Sequence, residues 1–406
     1  MASGTPLSGF ARFVDDTGPT YFTGPKERLN DAQKTNYRTL GYMLRGQSMN
    51  DTLQFGASIK DKIMLSVARV THTYSPGAEE SVANPQTATT WTVPWRFWLT
   101  PMTWLDQTVE LNGGKGVVRE TRFQQYYSEW MSIQQDGYTD WCDFMEEKYW
   151  AVPDKSKMEA QDGEEPYSIP CFVNEYTNGL PASSNQPGGT WTTVQQIDPT
   201  AVGKSNWVPQ RFGYDGSTDA TTGVDGLLSN LDQAYMKLDF QPPPVHREYF
   251  ESPTAQPWGF IACSSVGAAY VKRVYRINND RWENTMDPYG MPLYGGRPFV
   301  YVAQLDTAAI YPTGTGTTAN TSALSTELDT TSTGGAPGPR FFVIQPKYLR
   351  SVFHSERYLS DLGVMTDPKI PTQHVKYLDT WGNTICRSRR RHAIVYPTND
   401  AFTSYP

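Results

Sequence analysis

RETRFQQYYSEWMSIQQDGYTDWCDFMEEKY, residues 119–149, decides how the chain is read. Phe123, Tyr126, Tyr127, Trp130, Trp141, Phe144, Met145 and Tyr149 recur at the three- and four-residue spacing that gathers apolar side chains along one side of an α-helix. At about 1.5 Å per residue the helix would be about 46 Å long. Gly113-Gly-Lys-Gly precedes it, Pro153 stops it, and Lys148 suits the negative end of the helix dipole. Gly137 is expected to bend or interrupt it. A helix this long, in a chain with 33 Gly and 30 Pro, is a spine along which other elements pack.

Upstream, from Ala57 to Asn112, extended segments replace the helical period. Ile59-Lys-Asp-Lys-Ile-Met-Leu and Trp91-Thr-Val-Pro-Trp-Arg-Phe-Trp-Leu flank a polar stretch, and together they predict a long β-hairpin. Isolated two-stranded ribbons are marginal in water. Trp91, Trp95, Trp98 and Trp104 are therefore expected to be covered by another surface, that of a neighbouring chain. Residues 1–58 read as an extended arm, with a short helix within Lys26–Leu44 capped by Asn30 or Asp31.

Downstream, Gly226–Leu238 and Val266–Tyr275 read as helices, and Gly259–Ser264, Pro298–Ala303 and Arg340–Gln345 as buried strands. Leu349–Leu362 is expected to be helical or mixed. Thr313–Pro339 is low-complexity Gly, Thr and Ser, expected to be an exposed loop that tolerates replacement.

The 406 residues allow two or three domains. Aromatic residues reach 13% while charged ones fall to 19%, so the chain can offset its ordering entropy and is not disordered. No apolar run approaches the roughly 18 residues of a membrane helix, and Met1-Ala-Ser-Gly-Thr-Pro lacks the character of a signal peptide. A net charge of −7 argues against a generic nucleic-acid coat. Cys142, Cys171, Cys263 and Cys386 are far apart and fit a reduced chain assembled in a cytoplasm.

Catalytic and ligand motifs are weak. Gly41-Tyr-Met-Leu-Arg-Gly-Gln-Ser has the glycine spacing of a phosphate loop, with Gln47 where its lysine belongs. His72, His246, His354, His374 and His392 lack metal-ligand spacing, so no metal or cofactor is expected. No GxSxG is present. The carboxylates Asp106/Glu110, Glu146/Glu147 and Glu164/Glu165 match a glycosidase pair in residue type, but each reads better as a solvated face. No enzyme activity is expected. Arg387-Ser-Arg-Arg-Arg-His is the one dense basic run. On a strand its members would face opposite ways, so Arg387, Arg389, Arg390 and Arg391 are expected to pair with carboxylates of a neighbouring chain rather than to form one phosphate-binding patch.

This order of elements resembles the major capsid protein of tailed bacteriophages, with the α+β Hong Kong 97-type fold. Gly46-Gln-Ser-Met-Asn-Asp-Thr-Leu-Gln-Phe-Gly and the aromatic hairpin are similar to the N-terminal arm and E-loop, and Arg119–Tyr149 to the spine helix of the peripheral (P) domain. Gly226–Phe240 and Pro257-Trp-Gly-Phe-Ile-Ala-Cys resemble the mixed α/β axial (A) domain, as does Gly290-Met-Pro-Leu-Tyr-Gly-Gly-Arg-Pro-Phe-Val. Asn383-Thr-Ile-Cys-Arg-Ser-Arg-Arg-Arg-His-Ala-Ile-Val-Tyr-Pro resembles the closing strand. The resemblance implies an arm at 1–58, the E-loop at 59–112, the spine helix at 113–153, the A domain at 154–371 and a returning P-domain strand at 372–406.

It further implies self-assembly of hexamers and pentamers into an icosahedral shell around double-stranded DNA, without sequence-specific contact or a membrane. A separate scaffolding protein, a portal and cement proteins are the implied partners, and the host cytoplasm the place of assembly. The family's Lys–Asn cross-link does not carry over, because Lys60 and Lys62 lie at the hairpin's base. The other reading of a β-rich aromatic chain is a carbohydrate-binding phage tail or receptor-binding protein, against which the long helix stands.

Overall fold

A computed structural model describes residues 38–45, 53–54, 56–65, 88–105, 119–160, 163–175, 191–214, 226–238, 259–277, 293–294, 297–307, 339–366, 369–370 and 372–397. The first residues of the arm, the hairpin tip and nearly all of the 313–339 loop lie outside them. The chain opens with α1 (Arg38–Arg45), β1 (Leu53–Gln54), β2 (Ile59–Met64), β3 (Ala88–Val93), β4 (Arg96–Leu105) and α2 (Arg119–Tyr149). It continues through α3 (Lys155–Met158), α4 (Ile169–Phe172), β5 (Gln210–Tyr214), α5 (Leu227–Leu238), β6 (Phe260–Cys263) and α6 (Ser265–Ile277). Then come β7 (Leu293–Tyr294), β8 (Arg297–Tyr301), α7 (Gln304–Thr307), β9 (Phe341–Ile344), β10 (Leu349–His354) and β11 (Ser360–Thr366). β12 (Gln373–Cys386), a 3-10 turn (Arg389–Arg391) and β13 (Ala393–Pro397) close it.

The described residues form two compact units. The first takes in Phe97–Met145 and Phe353–Gly382; the second takes in Arg38–Arg96, Glu146–Val352 and Asn383 onward.

In the first unit, β4 and β11 both pair with β12. Along β4 buried and exposed residues alternate without a break, the period of a strand with one covered face. Trp98, Met102 and Trp104 point to the covered side. Trp104 meets Trp130 of α2 edge-on at 6.0 Å and stacks on His374 at 5.8 Å, closing a core with Met102 and Leu378. Lys376 is buried in the same place, its ammonium 2.5 Å from Asp361 and 4.8 Å from the centre of the Trp130 ring. Trp98 packs on Phe144 and Phe353.

The spine helix has the expected bounds and runs through Gly137 without interruption. A Cβ there would lie 2.7 Å from Met102 Cε and 2.9 Å from Cγ, so the glycine lets β4 approach the helix. Gly382 in β12 does the same for rings: a Cβ would lie 2.7 Å from Phe353 Cδ1 and 2.9 Å from Trp98 Cη2. Rigid rings yield less than a flexible thioether. Gly382→Ala is expected to cost about 1–3 kcal/mol of stability by overpacking, read as a lower denaturant midpoint. An unchanged midpoint would mean that the rings have room to move.

In the second unit a six-stranded sheet runs β5-β13-β9-β6-β8-β7. β13 is parallel to β5 and antiparallel to β9; β6 is antiparallel to β9 and parallel to β8. The central strands Phe260–Cys263 and Phe341–Ile344 are buried throughout, which explains their unbroken apolar sequence. Leu231, Ala234 and Leu238 of α5 and Val271 of α6 join Ile261, Phe299, Val343 and Val395 in one core. Trp150 packs edge-on against Phe342 at 5.2 Å. β2 and β3 form the base of the expected hairpin, Ile59 opposite Val93 and Met64 opposite Ala88.

Two expectations are corrected. Leu349–Leu362 contains no helix but the strand β10 and the start of β11, joined by a turn. The basic run is not on a strand, because β12 ends at Cys386 and Arg389–Arg391 turn in a 3-10 helix before β13.

Candidate inter-subunit surfaces

The four tryptophans expected to seek a neighbouring chain do not. Trp91, Trp95, Trp98 and Trp104 are all buried in the chain's own fold, and Trp95 Nε1 donates to the Gly56 carbonyl at 2.7 Å. That expectation is corrected: once β4 pairs with β12, its indoles have a core to enter.

Glu146 is corrected too. It is buried, not solvated, and accepts the backbone N–H groups of Thr39 at 3.2 Å and Leu40 at 2.8 Å. Those donors belong to the first turn of α1, where a carboxylate satisfies orphan N–H groups and complements the helix dipole. Trp150 Nε1 donates to Thr39 Oγ1 at 3.0 Å beside it. Gly41 lies inside α1 rather than in a loop, and Gly46, Gln47 and Ser48 of that motif lie outside the described residues. Glu165 accepts from Lys148 at 2.9 Å. Neither carboxylate has the open surroundings of a glycosidase residue, and Asp106 and Glu110 lie outside the described residues. Among the described residues no cluster of His, Cys, Asp and Glu has the makings of a metal site, and no helix is long and apolar enough to cross a membrane.

The basic run separates into four different arginines. The Arg389 guanidinium is fully buried and holds together three segments. Nε donates to Phe172 O at 2.9 Å, Nη1 to Trp207 O at 2.9 Å and Nη2 to Cys171 O at 3.5 Å. Burial pushes its pKa down to about 10, which leaves it charged at neutral pH. The same burial pushes the Cys171 and Cys386 thiols up to about 12, so both stay protonated and poorly nucleophilic. Arg391 Nη1 donates to Leu238 O at 3.0 Å, meeting the last carbonyls of α5. Arg387 Nε lies 3.1 Å from Asp61 Oδ2 on the hairpin base. Arg390 is exposed.

For Arg389 the expectation of a carboxylate on a neighbouring chain is corrected outright, since its donors are directed at the chain's own carbonyls. Arg387 and Arg391 have partners within the chain. Around this turn lies an open cleft of about 460 Å³, lined by Asp61, Lys62, Asn206, Lys237 and Arg387–Arg391 among others. Lys62 and Lys237 are exposed with Arg390 on its rim. Sequence reasoning missed both lysines: they come from the hairpin base and α5, with no spacing that links them to the arginines. A net-acidic chain thus carries one cleft in which cations outnumber the single carboxylate.

The chain superposes on a chain of the cyanophage A-1(L) capsid asymmetric unit with a TM-score of 0.53. The match covers 95% of this chain and 99% of that one, at 12% sequence identity. This is a phage capsid fold. Weaker matches include the mature capsid of bacteriophage PhiM1, at TM-score 0.43 and 12% identity over 86% of this chain and 84% of that one. The capsid of the native GTA particle matches at TM-score 0.44 and 11% identity over 94% and 97%. No protein-family model and no curated protein sequence matches the chain. The capsid fold is therefore shared in three dimensions at a sequence distance where pairwise comparison finds nothing. It is the α+β fold that the spine helix, hairpin and closing strand implied.

Proposed function

We propose that the chain is a major capsid protein that self-assembles into the icosahedral shell of a tailed phage around its double-stranded DNA. One observation carries this reading: the capsid fold spans 95% of this chain and 99% of the other. The chain works by assembly rather than catalysis, in hexamers and pentamers put together in the host cytoplasm. Scaffolding, portal and cement proteins are its further partners. The division into arm (1–58), E-loop (59–112), spine helix (113–153), A domain (154–371) and returning strand (372–406) belongs to the same proposal.

Each contact in a closed shell can be weak because it is repeated many times. Arg390, Lys62 and Lys237 are the groups on the basic cleft best placed to meet carboxylates of an adjacent copy. Negative-stain microscopy of the chain, expressed with and without its neighbouring genes, tests the function: shells support it, and a monomer or trimer that binds glycans overturns it. Arg390→Glu reverses an exposed charge and is expected to lower shell yield with or without genome. Normal empty shells with impaired packaging would instead assign the cleft to DNA.

A further inference from the structure

The alternation of β4 leaves a second face. While Trp98, Met102 and Trp104 turn inward, Phe97 is 62% exposed, Leu99 57% and Leu105 44%. Six of the eight large apolar side chains that are exposed among the described residues belong to the first unit. The strand register places another on the same face. Val364 stands opposite Lys376, and Thr366 opposite His374; both partners point inward, against Trp130 and Trp104 respectively. Met365, which stands opposite Val375, therefore points outward, and it is 49% exposed. Phe97 and Trp381 meet edge-on at 4.8 Å, which carries the face across from β4 to β12.

Among the described residues, the sheet thus has an inward face that is buried and an outward face whose apolar side chains on β4 and β11 stay exposed. From Phe97 to Leu105 the outward residues of β4 are Phe, Leu, Pro, Thr and Leu, with no charge among them. Where the face crosses to β12, Arg357 lies over the Trp381 ring at 5.4 Å, and its charge is already paired with Asp379 at 3.3 Å. Apolar patches of this kind on a soluble protein mark contacts with other protein surfaces. We propose that the outer face of the β4–β12–β11 sheet, centred on Phe97, Leu99 and Met365, is a contact surface for a second copy of this chain. The inference rests on the shell-forming reading, in which copies of the chain are its most numerous neighbours. It reverses the side of the strand that the sequence suggested: the leucines and phenylalanine between the tryptophans make the contact.

The test compares Leu99→Glu and Met365→Glu with Met236→Glu, a control at an 81% exposed methionine of α5 in the other unit. Full-length chains are expressed with the neighbouring genes, and particles are counted by sedimentation and microscopy. L99E and M365E are expected to lower particle yield at least tenfold while keeping the wild-type circular dichroism and denaturant midpoint; M236E is expected to assemble normally. Hydroxyl-radical footprinting of the unmodified chain supplies a measurement that no folding defect can confuse. Phe97, Leu99 and Met365 are expected to be labelled in free subunits and protected in particles. Normal L99E and M365E shells, or equal labelling in both states, would overturn this inference and leave the shell-forming reading standing. A wild-type chain that forms no particles would overturn both.

Discussion

Arg389→Met is expected to lower the stability of the subunit itself by about 3 kcal/mol or more, before any assembly is measured. The guanidinium joins Phe172, Trp207 and Cys171, carbonyl by carbonyl, at the point where the closing segment turns back into the sheet. Hydrogen bonds to a charged donor are worth about 1.5–3 kcal/mol each, and an orphaned buried carbonyl costs about 1–3 kcal/mol. Against that stands relief from burying a charge, which the lowered pKa of Arg389 registers. Two of the bonds are 2.9 Å long, so loss of acceptor partners outweighs that relief. Arg389→Lys is expected to recover little, since an ammonium lacks the fork that reaches Phe172 and Trp207 together. Denaturant midpoints of unassembled subunits decide the matter. An Arg389→Met subunit as stable as wild type but unable to assemble would return Arg389 to the interface.

Arg389 also marks where the sequence stops being informative. A run of arginines announces charge, and charge is normally solvated or paired with a carboxylate. Whether one member turns inward depends on carbonyls more than 180 residues away in the chain, which no local pattern encodes. Glu146 follows the same logic: its partners, Thr39 and Leu40, are more than 100 positions distant. The spine helix was legible because 31 residues of helical period lie between glycines and a proline, so local propensity and tertiary burial agree. The short strands Phe260–Cys263 and Phe341–Ile344 were legible for the same reason.

β4 shows an intermediate case. Its extended character was legible, but its polarity was not, because Phe97-Trp98-Leu99 is apolar on both sides of the pleat. A slip of one residue in parity exchanges the two faces. The larger indoles take the interior against Trp130, Phe144 and Phe353, and the smaller residues are left outside. The β10–β11 region failed differently. Leu349–Leu362 mixes apolar and charged residues without a clean period of two, and its strand character comes from the sheet it joins.

His392 is expected to make the subunit acid-sensitive over a definite window. It is fully buried, and its pKa is pushed down to about 3, by burial first and by the nearby Arg389 charge second. The Gln345 backbone N–H donates to its Nδ1 at 3.2 Å, which requires that nitrogen to be unprotonated. A proton there would replace an acceptor with a donor and bury a second cation beside Arg389. In the unfolded chain the imidazole takes up its proton near 6.5. Between 6.5 and about 3 the unfolded state therefore holds a proton that the folded state lacks. Stability rises with pH across this window, and is lost as pH falls through it. The slope is about 1.4 kcal/mol per pH unit, and the whole effect is at most about 5 kcal/mol. Carboxylates titrate in the lower part of the same range, so the measurement is a difference. Denaturant midpoints from pH 7 to pH 4 are compared for the wild-type subunit and His392→Asn, whose amide oxygen offers an acceptor but no titration. The wild-type curve is expected to fall more steeply by close to one proton. Parallel curves would mean that His392 is protonated in the folded chain as well over this window, and the buried acceptor at Nδ1 would lose its role in acid stability.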